Sequence, residues 1–95
     1  MRRVVITGMA GISAIGQDWE TVSERLKSMK NAIQYMENWD IYEGLNTRLG
    51  GPVLDFELPE HYTRKVRRTM SRVSQFSTRS SELAVIDAGL LLSLR

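Results

Sequence analysis

Three consecutive β-branched residues, Val4-Val5-Ile6, follow two arginines and run straight into Thr7-Gly8. The run predicts a strand over residues 3–7, ended by a glycine turn. A strand with one wet face alternates apolar and polar side chains; three apolar residues in a row leave no face for water. Such a strand belongs inside a parallel sheet covered by helices on both sides, which predicts an α/β architecture. It cannot stand alone, because a two-sided apolar strand needs neighbours to pair with.

Glycines recur after the strand at Gly8, Gly11 and Gly16, the way a phosphate-binding loop begins. Spacing rejects that reading. The gap from Gly11 to Gly16 fits a Walker loop, but Gln17-Asp18 replaces the Lys-Ser/Thr pair, and Asp18 would repel a phosphate. The G-x-G-x-x-G dinucleotide fingerprint is not matched. Thr7-Gly8 suits the T-G-x-x-x-G-x-G turn of short-chain dehydrogenases, but Ile12 and Ala14 stand where its later glycines fall. Gly8, Gly11 and Gly16 are therefore read as structural turn residues that let the chain fold back tightly after a buried strand.

Asp18 is a good N-cap for a helix reaching to about Lys30, with Asn31 as its stop. Trp19, Val22, Leu26 and Met29 share one face of it, and Trp19 is expected to anchor it in the core. Glu20 and Glu24 early, Lys27 and Lys30 late, agree with the helix dipole. Residues 31–60 read as a long, loop-rich connection, with Trp39 as a second anchor and a short edge strand expected within residues 51–56. A second helix is expected from about Met70 to Leu90. Its stripe of Val66, Met70, Val73, Ser77, Ser80, Ala84 and Ala88 is small in the middle, which permits close approach of another element, and Gly89 is its terminator.

Ninety-five residues make at most one small domain, marginal on its own. There is no cysteine, which removes disulfides, thiolate metal sites and a Cys nucleophile, and one histidine, His61, cannot build a cluster. His61 is read as an ordinary surface or interface residue, and Asp18, Asp40 and Asp55 as cap and turn residues. No catalytic, metal or cofactor constellation is defensible. Arg2-Arg3 is not followed by an apolar run long enough for a signal peptide, and no stretch approaches a transmembrane helix.

The net charge of +2 is unevenly spread: residues 1–60 hold six basic and nine acidic side chains, residues 61–95 seven and two. The excess gathers in Thr63-Arg64-Lys65-Val66-Arg67-Arg68-Thr69-Met70-Ser71-Arg72. On a continuous helix Arg64, Arg68 and Arg72 fall on one face, where they repel one another unless solvated or met by an anion. A solvated face is the ordinary reading of such a run. Of the partners it could meet, nucleic acid lacks a motif and aromatic interleaving, and a membrane surface lacks bulky apolar residues on the opposite face. Both are weaker cases than an acidic protein.

Together these blocks resemble the start of the β-ketoacyl-acyl carrier protein synthases of the type II elongating class. Arg2-Arg3-Val4-Val5-Ile6-Thr7-Gly8-Met9 with Gly11 and Gly16 resembles that family's opening R-R-V-V-V-T-G-M-G pattern, which precedes a Trp-bearing helix. Arg67-Arg68-Thr69-Met70-Ser71-Arg72-Val73-Ser74-Gln75-Phe76 resembles its R-R-M-D-R-F-S-Q-Y/F run, and Ala84 with Asp87-Ala88-Gly89-Leu90 its A-x-x-D-A-G-L helix end. Ala10, Ser13-Ala14, Ser71 and Val73 depart from the pattern.

The resemblance implies the N-terminal portion of a thiolase-like, five-layer αβαβα fold, with residues 1–95 as an incomplete part of the ketoacyl synthase N-terminal domain. It implies an acyltransferase that condenses an acyl thioester with malonyl-acyl carrier protein in fatty acid or polyketide-type elongation. It implies no cofactor, a cytoplasmic setting, and a homodimer or a paired ketosynthase subunit. The family's nucleophilic Cys and two His lie downstream of these motifs, so this chain alone is expected to be inactive. The resemblance also assigns the basic run: Lys65 and Arg68 match positions that dock acyl carrier protein, with Arg64 and Arg67 as neighbouring candidates. The apolar run Leu90-Leu91-Leu92-Ser93-Leu94 is expected to be exposed in a free-standing chain, which favours a fragment. The alternative is a complete, small basic protein that binds an acidic partner.

Overall fold

The computed structural model describes residues 2–90. In chain order the elements are helix α1 (Trp19–Lys27), strand β1 (Gln34–Tyr35), a 3₁₀ turn (Glu37–Trp39), strand β2 (Leu49–Gly50), helix α2 (Arg64–Arg68) and helix α3 (Arg72–Asp87). They fall into two compact units, Ser13–Asp55 and a second one made of Met1–Ile12 with Phe56–Arg95.

In the Ser13–Asp55 unit, Ser13 and Gly16 exchange two backbone hydrogen bonds of 3.0 and 3.2 Å around Ala14-Ile15. This tight reversal delivers the chain to α1. The Asp18 carboxylate accepts the Thr21 N–H at 2.9 Å, as an N-cap should. Hydrogen bonding from Thr21, side chain and backbone, holds the Asp18 carboxyl below its ordinary pKa. The helix stops three residues earlier than its charge pattern suggests. Met29 takes the left-handed conformation (φ 58°). Its N–H bonds the Leu26 carbonyl, and the Lys30 N–H the Arg25 carbonyl, the paired closure of a Schellman stop. Asn31 plays a different part: its side chain accepts the Ile33 N–H at 2.9 Å, an Asx turn that redirects the chain after the helix has ended.

The strands are antiparallel, with Gln34 opposite Gly50 and Tyr35 opposite Leu49. The strand anticipated within residues 51–56 thus lies just before them; Pro52 offers no N–H with which to extend the ladder. Trp39 does anchor this region. Its ring lies over Gly50, where an added Cβ would sit 3.0 Å from it. Arg48 ties the same segment together through Asp40 at 3.2 Å and the Tyr42 carbonyl at 3.2 Å. The Tyr35 hydroxyl donates to Asp40, which, together with lesser effects, raises the phenol pKa.

Two expectations for apolar residues fail for a common reason. Val4, Val5 and Ile6 form no ladder and are 94%, 74% and 79% exposed. Trp19, Leu26 and Met29 are also exposed, leaving Val22 as the half-buried member of its stripe. A two-sided strand needs flanking strands and two covering layers, and no described residue supplies them.

The second unit is built around α3. Phe56 and Leu58 are its buried apolar residues, and the Phe56 ring meets Phe76 of α3 edge-on at 4.7 Å. Phe76 therefore faces the core, while Val73 and Ser77 of the anticipated stripe are exposed. The C-terminal half of that stripe holds: Ser80, Ala84 and Ala88 are half-buried. What approaches there is the N-terminal segment. A Cβ on Gly8 would lie 2.4 Å from the Ala84 carbonyl oxygen and 2.5 Å from the Ala88 nitrogen. The Met9 N–H donates to Asp87 Oδ2 at 3.0 Å beside this contact. Gly89 ends α3 with φ 77°, its N–H on the Ile86 carbonyl and the Leu90 N–H on the Val85 carbonyl. Of the terminal apolar run, Leu90 is exposed and residues 91–94 lie outside the described residues.

Candidate functional site

The basic run does not form one helix. Thr63 caps α2 by accepting the Val66 N–H at 3.3 Å, and the Thr69 hydroxyl donates to the Val66 carbonyl at 2.7 Å where α2 ends. Ser71 then caps α3, accepting the Ser74 N–H at 3.3 Å. Hydroxyl side chains that offer the backbone local bonds are what break a helix at such points. The single face expected for Arg64, Arg68 and Arg72 is therefore divided. Arg64 and Arg68 share α2, one turn apart; Arg72 opens α3 with its guanidinium 4.8 Å above the Phe76 ring.

Within α2 the four cations have two different surroundings. Arg64, Lys65 and Arg68 are exposed and have no hydrogen-bond or ion-pair partner among the described residues. Arg67 is half-buried. Its Nε donates to the Tyr62 carbonyl at 2.9 Å, and its Nη2 to the carbonyls of Leu58 and Pro59 at 2.9 and 2.8 Å. A guanidinium presents five donors in a fixed fork, so one side chain can hold three carbonyls of a turn at once.

Next to this grip lies a cluster that sequence reasoning missed. Glu82 of α3, with its side chain 17% exposed, accepts from His61 Nε2 at 2.5 Å, from the Tyr62 hydroxyl at 3.2 Å, and from Arg79 one turn away. Burial pushes the Glu82 carboxyl up, but hydrogen bonds from Arg79, His61 and Tyr62 outweigh it and the net pKa is lowered. His61 thus sits half-exposed in a carboxylate network. Its partner lies 21 residues away in sequence, on another element, so no local motif announces the pairing.

The structure places the three turn glycines differently. Gly8 lies against the α3 backbone, Gly16 closes the reversal with Ser13, and Gly11 has nothing within 4 Å of a built Cβ. None of them opens a helix N-terminus onto a cleft. Among the described residues there is no group of three His, Cys, Asp or Glu side chains that could hold a metal ion. No helix among them is long and apolar enough to cross a membrane.

Residues 1–94 match the family described as beta-ketoacyl synthase, N-terminal domain. The chain is 35% identical over 89 residues to a 3-oxoacyl-[acyl-carrier-protein] synthase 2 of Staphylococcus aureus, an alignment covering 94% of this chain and 21% of that protein. It is 33% identical to the synthase of the same name from Vibrio harveyi, with the same coverage. Among solved structures, a beta-ketoacyl synthase from Burkholderia phymatum STM815 superposes with a TM-score of 0.86 at 47% identity, over 94% of this chain and 22% of that one. The chain belongs to the β-ketoacyl synthase family, and it corresponds to the N-terminal part of such an enzyme with its thiolase-like α/β fold. It spans about a fifth of the length of the relatives it matches.

Proposed function

We propose that this chain forms the N-terminal part of a 3-oxoacyl-[acyl-carrier-protein] synthase and presents, on α2, part of the surface where acyl carrier protein docks. In this reading the whole enzyme condenses an acyl thioester with malonyl-acyl carrier protein, in the cytoplasm, as a homodimer or with a paired ketosynthase subunit. The reaction needs an activated thiolate and stabilisation of a developing oxyanion. This chain has no cysteine and a single histidine, so its part is structural and in recognition.

The observation that carries the docking role is the display of Arg64, Lys65 and Arg68 on one short helix, exposed and unpaired. Three uncompensated cations raise the local potential, which speeds encounter with an acidic partner and sets its orientation more than it adds affinity. The test is the double substitution Lys65→Glu/Arg68→Glu in the synthase carrying this segment. KM for the carrier-bound substrate is expected to rise by about tenfold at low ionic strength, and the parent's salt dependence to flatten. Carrier-dependent kinetics that match the parent at every salt concentration would remove the docking role.

The other reading, a free-standing basic protein, is poorly supported by the core. Among the described residues Phe56 and Leu58 alone are buried, each still 7% exposed, a small core for a chain of this length. Cooperative unfolding of the isolated chain as a soluble monomer would favour that reading instead.

A further inference from the structure

Resting on the docking role just described, we propose that Arg67 and Glu82 form a two-step brace that sets the position of α2, and that they are positioning residues for carrier recognition. The first step runs from α3 to the turn before α2. Glu82, itself fixed by Arg79, holds that turn by two side chains at once, the His61 ring and the Tyr62 hydroxyl. The turn is closed internally by the Tyr62 N–H on the Pro59 carbonyl at 3.1 Å. The second step runs from the turn to α2. Arg67 reaches back from the helix and takes the carbonyls of Leu58, Pro59 and Tyr62. Leu58, at the start of the turn, is one of the buried residues, so the turn is also seated in the core.

A brace is needed because α2 is only five residues long. A helix of one turn and a half is unstable by itself, and three like charges on it add repulsion. Its capping bonds, from Thr63 and Thr69, are both local and leave its direction free. Arg67 supplies the bonds that fix that direction, and it alone of the four cations faces inward. The four cations of α2 are thus divided by role: three present charge, and the fourth holds them in place.

The test separates the brace from the docking role it serves. In the synthase carrying this segment, Arg67→Met keeps the length of the side chain but removes the donors. Glu82→Gln keeps the shape but removes the charge. Hydrogen exchange at the amides of residues 66–69 is expected to speed up by about tenfold or more in Arg67→Met, with the amides in the middle of α3 unchanged. KM for the carrier-bound substrate is expected to rise by about three- to tenfold in both variants, with kcat near the parent's and KM for a small carrier-free acyl thioester unchanged. Arg67→Lys is expected to restore little, because an ammonium cannot span three carbonyls as a fork does. Exchange at residues 66–69 that stays at the parent rate in Arg67→Met overturns the brace, as does an equal rise in KM for both substrates. Faster exchange with an unchanged carrier KM overturns the positioning role in carrier recognition, while the docking role itself stands or falls on Lys65→Glu/Arg68→Glu.

Discussion

Gly8→Ala is the sharpest test of how the N-terminal segment is held. The added Cβ would lie 2.4 Å from the Ala84 carbonyl oxygen, 2.5 Å from the Ala88 nitrogen and 2.7 Å from the Ala88 Cβ. All three are inside the closest approach such atoms tolerate, and two belong to the helix backbone, which cannot swing aside as a side-chain tip can. The segment must back away by about an ångström, an overpacking that costs about 1–3 kcal/mol. Backing away also stretches the Met9 N–H bond to Asp87, now 3.0 Å, whose loss at an exposed site adds about 0.5–1.5 kcal/mol. The sum is about 1.5–4.5 kcal/mol.

Gly11→Ala supplies the matched control. A Cβ there meets nothing within 4 Å and the residue is not left-handed. Its cost is therefore expected within about 0.5 kcal/mol of zero, or on the stabilising side as the unfolded chain loses freedom. Urea unfolding of both variants in one background reads the difference as a shift in midpoint at constant slope. Adding Ala88→Gly to Gly8→Ala should recover little, because it removes the Cβ contact and leaves the two backbone ones. Equal stability of the two alanine variants, or full rescue by Ala88→Gly, would refute the argument.

Two further outcomes follow from local geometry. Met29 holds a left-handed conformation that costs a residue with a Cβ about 1–2 kcal/mol, and its side chain is 90% exposed. Met29→Gly should relieve most of that against about 0.4–1 kcal/mol of extra unfolded freedom. A net gain of about 0.5–1 kcal/mol is expected in chemical unfolding. The Glu82 carboxyl has a folded pKa below its ordinary 4.5. Its stabilising contribution is therefore complete above that value and is lost as pH falls through the folded one. Acid unfolding of the parent should steepen below about pH 4.5, and Glu82→Gln should remove that part of the slope while lowering stability near neutrality.

What the chain discloses in its sequence is what its neighbours in sequence decide. Asp18 as a cap, Gly89 as a stop and the turns around Trp39 depend on residues within four or five positions, and the structure places them as local chemistry requires. Family membership was legible for the same reason, since it rests on short blocks in order. The apolar stripes were misjudged where no described residue covers them: a pattern of side chains says that a face wants burial, and says nothing about whether a partner is present. Val4-Val5-Ile6 is the clearest instance, a segment whose composition is right for a buried strand and whose surroundings leave it bare.

The basic run shows the other limit. Arg64, Lys65, Arg67 and Arg68 are equivalent in charge and adjacent in sequence, and nothing local separates them. The division comes from where a helix of five residues happens to point its fourth position, towards three carbonyls of a turn that is itself held by a glutamate on another helix. Counting positive charge along the chain therefore overstates what a partner can meet. Of the four basic side chains on α2, a docking protein would find three, and its affinity would depend on the fourth through geometry alone. The same arithmetic explains why charge removal at Arg67 and at Lys65 should be distinguishable by salt. Substituting Lys65 takes away a screened, long-range attraction, whereas substituting Arg67 leaves the exposed charge intact and disturbs its placement, an effect that added salt does not abolish.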